Sequence, residues 1–266
     1  QLQSEPIAQS AARQRAGLCG RVACGVCFRL YEEDDFDKRP PHTDPEILRS
    51  SLAGVILRMK SLNLGAVEDF PFLDAPNSRQ ITDGYQLLTE LGAVDESREL
   101  PAIGHSLARL PLDPKIGRMI LAARDASALR EVLIIASALS LQDPRERPQE
   151  AAGSADQAHS KWKDERSEFL VYLKLWQDFD EVWRQQTQRQ QRDWCRAHFL
   201  NATRMREWRD IHSQLHALIA EHGWRENEAP AAYEALHRAL LTGLLGNIGC
   251  KADAEPYYLG AHGIKF

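Results

Sequence analysis

The chain is 266 residues long, 43% hydrophobic, with a formal net charge of −5, enough for two or three modest domains with real cores. The negative balance excludes a uniformly basic nucleic-acid coat but leaves a local basic groove open, and no apolar run approaches the roughly 20 residues of a membrane span. Five cysteines (Cys19, Cys24, Cys27, Cys195, Cys250) form an odd set without a disulfide framework, so a reducing, cytoplasmic setting is expected.

The opening Gln1-Leu2-Gln3-Ser4-Glu5-Pro6-Ile7 has neither the basic nor the apolar stretch of a leader and reads as a cut through a longer protein. A helix is expected to start in Gln9 to Arg15. Cys24 to Tyr31 alternates Val26, Phe28 and Leu30 with Cys27, Arg29 and Tyr31, the period of a strand. From Glu32 to His42 the chain is polar and acidic, with Pro40-Pro41 as a breaker, and reads as a loop. Thr43-Asp44-Pro45-Glu46 has the form of a capping box. The helix after it would place Ile47, Leu48, Leu52, Val55, Ile56 and Met59 on one face. A second helix should start at Asn77, with Gln80 three residues on, and stop at Gly92. Around Leu100-Pro101 a turn or short strand is expected, and helix, helix, short β-segment is the order of a winged helix.

Asp113-Pro114 is a further helix start, an N-cap Asp with Pro at the first position. Ile116, Met119, Ile120 and Ala123 follow. Leu129 to Leu139 is apolar nearly all round and should be a buried helix. Residues 143–160 are polar, with Pro, Gly and Ser, and read as mobile. The chain is then mostly helical to about Leu245. Its clearest helix is Thr203 to His222, with Met205, Trp208, Ile211, Leu215, Leu218 and Ile219 sharing a face and Gly223 as the stop. Tyr257 to Phe266 reads as a first strand of a further domain.

Chemistry is carried by Gln14-Arg15-Ala16-Gly17-Leu18-Cys19-Gly20-Arg21. Phosphoryl transfer spreads negative charge over γ-phosphate oxygens, which an inserted Arg stabilises while a Gln orients the attacking water. The glycines would let the backbone turn tightly. This segment resembles motif VI of DEAH-box RNA helicases, Q-R-x-G-R-x-G-R. Three more stretches resemble that family in order and spacing: Arg29-Leu30-Tyr31 with Phe36, Leu107-Ala108-Arg109-Leu110-Pro111-Leu112-Asp113-Pro114, and Phe199-Leu200-Asn201 through Met205-Arg206-Glu207-Trp208, the last in the bacterial HrpA-type branch.

The resemblance implies a multidomain, mainly α chain: residues 1–37 ending a second RecA-like α/β domain, 44–112 a winged helix, 113–247 a helical ratchet bundle of HA2 type, and 248–266 the start of an OB-fold. It implies a parent that couples ATP hydrolysis, with Mg²⁺, to translocation on single-stranded RNA and to unwinding, with messenger RNA on ribosomes among possible substrates. Gln14, Arg15, Gly17 and Arg21 would face the nucleotide, Gln14 and Arg21 in catalytic roles. Where the family has a first arginine finger this chain has Leu18, which neither donates a hydrogen bond nor carries charge. No G-x-x-x-x-G-K-[ST] loop and no DExH box occurs here, so the chain is expected to be inactive by itself. The alternative is an RNA-binding or scaffold protein with a defective motor, for which Leu18 speaks.

Other features have plainer readings. Cys19, Cys24 and Cys27 have the C-x₄-C-x₂-C spacing of part of an iron–sulfur pattern, but Cys19 fills a variable motif position and the others fall on the expected strand; no metal site is expected. His212 and His216 lie one helical turn apart without an obvious third ligand. Trp162, Trp176, Trp183, Trp194, Trp208 and Trp224 read mainly as packing, less as base-stacking platforms. Arg184, Arg189, Arg192, Arg196, Arg204, Arg206 and Arg209 form a basic-leaning stretch, diluted by Asp193, Glu207 and Asp210; Arg204, Arg206 and Arg209 are the RNA-contact candidates. A duplex-DNA regulator would read bases from Asn77, Arg79 and Gln80, with Asp83 and Glu90 opposing phosphate.

Overall fold

The structure, a computed structural model, describes residues 6–20, 23–43, 45, 47, 51–251, 256–260, 264 and 265. Among these it is mainly helical, with twelve α-helices and one two-stranded pairing. The N-terminal piece closes on itself. Helix α1 (Gln9–Leu18) and helix α2 (Glu33–Lys38) meet around Ala8, Ala12 and Phe36, all buried. The N–H groups of Gln9 and Ser10 donate to the carbonyls of Pro40 and Pro41 at 3.0 and 2.9 Å. Gln9 Nε2 donates to the carbonyls of Asp37 and Arg39.

This piece departs from the sequence pattern in two places. The segment read as loop holds α2, because Glu33, Asp34 and Asp35 fill its first turn, where the positive end of the helix dipole favours acids. Arg39 pairs with Asp35. The strand expected over Cys24 to Tyr31 does not form: the segment is irregular, with Val26, Phe28 and Leu30 exposed. No described segment lies alongside to complete a ladder, and an unpaired strand leaves its backbone groups unsatisfied.

Helices α3 (Ala53–Ser61), α4 (Ser78–Glu90) and α5 (Ala102–Ala108) surround a first core of Leu52, Ile56, Leu57, Tyr85, Leu88 and Leu107. The single helix expected after Thr43 is interrupted: Ile47 is helical, Ser51 and Leu52 are not, and α3 begins afresh at Ala53; Asp44, Glu46 and Leu48 lie outside the described residues. α4 starts at the capping box read from sequence: Asn77 Oδ1 accepts from Gln80 N at 2.8 Å, and Gln80 Oε1 from Asn77 N at 3.0 Å. It stops before Gly92, whose φ of 67° suits glycine. Before Leu100-Pro101 there is a turn and no strand pairing: Asp95 Oδ1 accepts from the N–H groups of Ser97 and Glu99. Pro101 then opens α5, a helix the sequence reading lacked.

Helix α6 (Pro114–Asp125) begins as expected, Asp113 accepting from Lys115 N at 2.8 Å. Helix α7 (Leu129–Leu139) is the buried axis of a second core, with Met119, Ile120, Val132, Leu133, Leu236 and Leu240. Helix α12 (Tyr233–Leu241) lies against α6, and Thr242 Oγ1 donates to the Arg118 carbonyl at 3.3 Å. The buried Glu131 carboxylate ties α7 to the segment before α12, accepting from Asn227 Nδ2 at 2.8 Å, Arg130 Nη2 at 2.8 Å and Ala231 N at 3.3 Å. Burial alone would raise its pKa; the hydrogen bonds hold it below the usual value.

A third core joins helix α9 (Glu168–Gln185), helix α10 (Gln188–Ala197) and the first half of helix α11 (Ala202–Glu221). Trp162, Leu175, Phe179, Met205 and Trp208 fill it. α11 ends before Gly223, at φ 71°. Residues 143–160, read as mobile, are ordered and include helix α8 (Ala152–His159). Arg147 forms a two-pronged pair with Asp156 at 2.7 and 2.9 Å, and Pro144 and Glu146 bond the backbone around Leu200. Several polar residues of this segment find partners while remaining exposed to solvent. Toward the C-terminus β1 (Cys250–Lys251) pairs antiparallel with β2 (Tyr258–Leu259), and Leu259 bridges to Lys265. The expected strand to Phe266 is thus seen only in part, Phe266 itself lying outside the described residues.

Candidate functional site

Two regions hold the residues singled out from sequence. The first is α1. Its inner side, Ala8 and Ala12, faces Phe36, and Arg13 lies over the same ring at 5.7 Å. Gln14, Arg15, Gly17 and Leu18 are all exposed. Gln14 and Leu18, four apart, stack one turn above the other on the side away from Phe36. Leu18 is 53% exposed, an apolar side chain held in water. Arg21 lies outside the described residues. Gly17 sits inside the helix rather than in the tight turn expected of it, and a Cβ there would meet nothing within 4 Å; its bareness leaves the helix surface open to close approach. Cys19, Cys24 and Cys27 are exposed thiols. Among the described residues no group of His, Cys, Asp or Glu is arranged to hold a metal ion. Cys195 is the buried thiol, and burial pushes it up to about 11.

The second region is the bundle around α11. Arg209, on its inner side, donates to Asp180 Oδ1 at 2.7 Å and lies over Trp176 and Trp183. Arg204 donates to the Asp143 carbonyl at 3.1 Å. Of the three arginine candidates, only Arg206 is exposed. Beside α11 runs a groove of 1010 Å³ lined by Leu139, Asp143, Arg204, Glu207, Asp210 and Ile211 among others. Its rim is more acidic than basic. Asp143 is itself engaged: burial would raise its carboxyl, but the Arg145 fork at 2.7 and 3.1 Å keeps it below the usual range. Sequence reasoning missed this Asp143–Arg145 anchor, for which only the two-residue spacing was visible. The tryptophans are packing elements: Trp162 and Trp208 are fully buried, and Trp176, Trp183, Trp194 and Trp224 pack against the cores.

His212 and His216 do not form a ligand pair. His212 is partly buried against Trp176, ring centroids 4.5 Å apart, while His216 points to Glu226 at 3.4 Å. Desolvation, helped by the neighbouring His216 and Arg209 against the opposing Asp180, lowers the His212 pKa from 6.5 to about 4. The folded state therefore takes up this proton later than the unfolded chain. The stability tied to neutral His212 is present above pH 6.5 and is lost as pH falls from there toward 4, by on the order of 2 kcal/mol. Urea midpoints at neutral pH and at pH near 4 should fall less in His212→Gln than in the unchanged chain; equal falls would remove His212 from the account.

Comparison with known proteins adds a family. Residues 113–203, from α6 to the start of α11, match the model described as helicase associated domain (HA2), ratchet-like. The chain is 47% identical, over 98% of its length, to the ATP-dependent RNA helicase HrpA homolog of Haemophilus influenzae. It is 46% identical, again over 98%, to ATP-dependent RNA helicase HrpA of Escherichia coli. To the probable ATP-dependent RNA helicase DHX34 of Homo sapiens it is 34% identical over 84%. The chain spans about a fifth of the length of these relatives: 21%, 20% and 19%.

Proposed function

We propose that this chain, a homologue of the HrpA-type ATP-dependent RNA helicases along 98% of its length, is the part of such a motor that closes on ATP from one side and walls the RNA path on the other. The colinear identity to two named helicases carries this reading. In it, residues 1–37 end a RecA-like domain, 44–112 form a winged helix, 113–247 the ratchet bundle and 248–266 the first part of an OB-fold. The exposed outer side of α1 supports the nucleotide role, since a residue that reaches across a domain cleft must not be spent on its own domain.

On the nucleotide side, the Arg21 guanidinium donates to γ-phosphate oxygens as charge builds there, and the Gln14 amide orients the attacking water. Arg15 and the open surface at Gly17 border the same site. Leu18 contributes no donor. Mg²⁺, which neutralises phosphate charge when bound with ATP, is assigned no ligand among these residues. The chain has no phosphate loop and no DExH box, so turnover needs the remainder of a longer protein. On the RNA side, closure would press a single strand against the bundle and convert hydrolysis into a step. Arg206 is the exposed candidate there, and messenger RNA on ribosomes in the cytoplasm is a fitting substrate. The second reading, a scaffold with a defective motor, draws on Leu18 alone.

The reading is tested by titrating fluorescent single-stranded RNA with this chain at low and near-physiological salt. Binding that weakens steeply with salt, as expected when arginines displace counterions from phosphates, supports an RNA-facing bundle. Absence of binding at low salt removes that role from the chain.

A further inference from the structure

We propose that the outer face of α10, carried by Arg189, Arg192 and Arg196, is a binding surface for the phosphates of single-stranded RNA, separate from the groove beside α11. The proposal rests on the reading above that the chain acts on RNA.

The rotation of α10 about its own axis is fixed by its inner side. Gln191 is buried and its Nε2 donates to the carbonyls of Trp183 and Gln186 at 3.2 and 3.0 Å, clamping the end of α9. Cys195, one turn on, is buried in the aromatic core. Thr187 and Gln190 close the N-terminus as a capping box. With 191 and 195 inward, positions 189, 192 and 196, spaced by three and four, must form one outward row. All three arginines are exposed. The row is about 10 Å long at 1.5 Å per residue, long enough to meet successive phosphates.

The charges of this face are clustered and largely uncommitted. Among the described residues Arg189 and Arg192 form no ion pair, and Arg192 makes one long contact to the Gln188 carbonyl of its own helix, 3.4 Å. Arg196 meets Asp193 at 3.5 Å, but the two side chains are 84% and 56% exposed, and such a pair is worth little and exchanges readily. Arg98, Arg130, Arg145, Arg147 and Arg209, by contrast, are each committed to a carboxylate. The groove beside α11 presents Glu207 and Asp210, which repel phosphate, while its Asp143 and Arg204 are already engaged. A row of guanidinium forks on a rigid helix, in a chain that is acidic overall, fits a polyanion gripped by its backbone without base preference.

The test uses the whole chain and a short fluorescein-labelled single-stranded RNA, followed by anisotropy across a salt series. The triple variant R189Q/R192Q/R196Q should raise Kd at least about tenfold at low salt and flatten the dependence of log Kd on log salt by about 2. Its thermal unfolding should stay unchanged, because the three side chains hold nothing in place. A control that removes the same charge elsewhere, at the exposed Arg109, Arg225 and Arg238, R109Q/R225Q/R238Q, should shift Kd less than about threefold. If the unchanged chain binds with steep salt dependence and the triple variant binds equally well, the α10 face is overturned while the RNA reading stands. If the triple variant and the control weaken binding equally, net charge and not this face is responsible, and the proposal is overturned. If the unchanged chain does not bind RNA at low salt, both fall.

Discussion

Replacing Trp208 with alanine will lower the thermal unfolding midpoint by roughly 8–16 °C, the shift expected for a loss of about 4 kcal/mol in a chain of this size. Trp208 is fully buried at the meeting of three helices. Its ring stands edge-on to Tyr172 and Trp176 at 5.9 and 5.1 Å. Its Nε1 donates to the Ile134 carbonyl at 2.9 Å and to Ser137 Oγ at 3.0 Å. Truncation removes one of the two fully buried tryptophans of that core and leaves a cavity between α7, α9 and α11 that rigid helices cannot refill. Trp208→Phe keeps a ring but drops the donor, and should cost about 1–2 kcal/mol. Circular dichroism at 222 nm measures both. A midpoint for the alanine variant within a degree or two of the unchanged chain would mean that this cluster does not hold the bundle.

In a full-length protein carrying this chain, Arg21→Ala should reduce RNA-stimulated ATP turnover about 10³-fold, the effect of removing one arginine finger. The loss should fall on kcat more than on KM, because the guanidinium meets charge that develops only in the transition state. Leu18→Arg should act in the opposite direction and raise turnover. The side chain at 18 projects into solvent, so the longer, charged replacement meets no steric penalty within α1. Unchanged turnover in Arg21→Ala, with the protein folded, would detach this segment from the nucleotide. No gain in Leu18→Arg would mean that the leucine is not a missing finger, and the scaffold reading would lose the residue it draws on.

Local rules made much of the fold legible. α4 and α6 start where Asn77 and Asp113 accept from backbone N–H groups of their own first turns, a signal contained in four residues. The all-round apolar run of α7 could only be a buried helix. What escaped depended on partners far away in sequence. The alternation from Cys24 to Tyr31 had the right period for a strand, but period does not supply a neighbouring strand. The polarity of residues 143–160 read as mobility because Arg147 meets Asp156, and Pro144 meets Asn201, only after folding. The site divides in the same way. The residues of the Gln14–Arg21 segment were recognisable from their local order, whereas the tethering of Arg204 and Arg209 was not, since Asp143 and Asp180 lie 61 and 29 positions away.

The clasp between Glu131 and Asn227 has a consequence for how the chain is made. The family match ends at residue 203, yet the core around α7 needs Leu215, Ile219, Leu236, Ala239 and Leu240. Glu131 waits 96 positions for its amide partner. At the roughly 5–20 residues per second of protein synthesis, the apolar sides of α6 and α7 stay uncovered for about 5–20 s after they are made. A chain cut at residue 203 would lack the residues that cover them, so the unit that folds reaches through α12, beyond the stretch that the HA2 model matches.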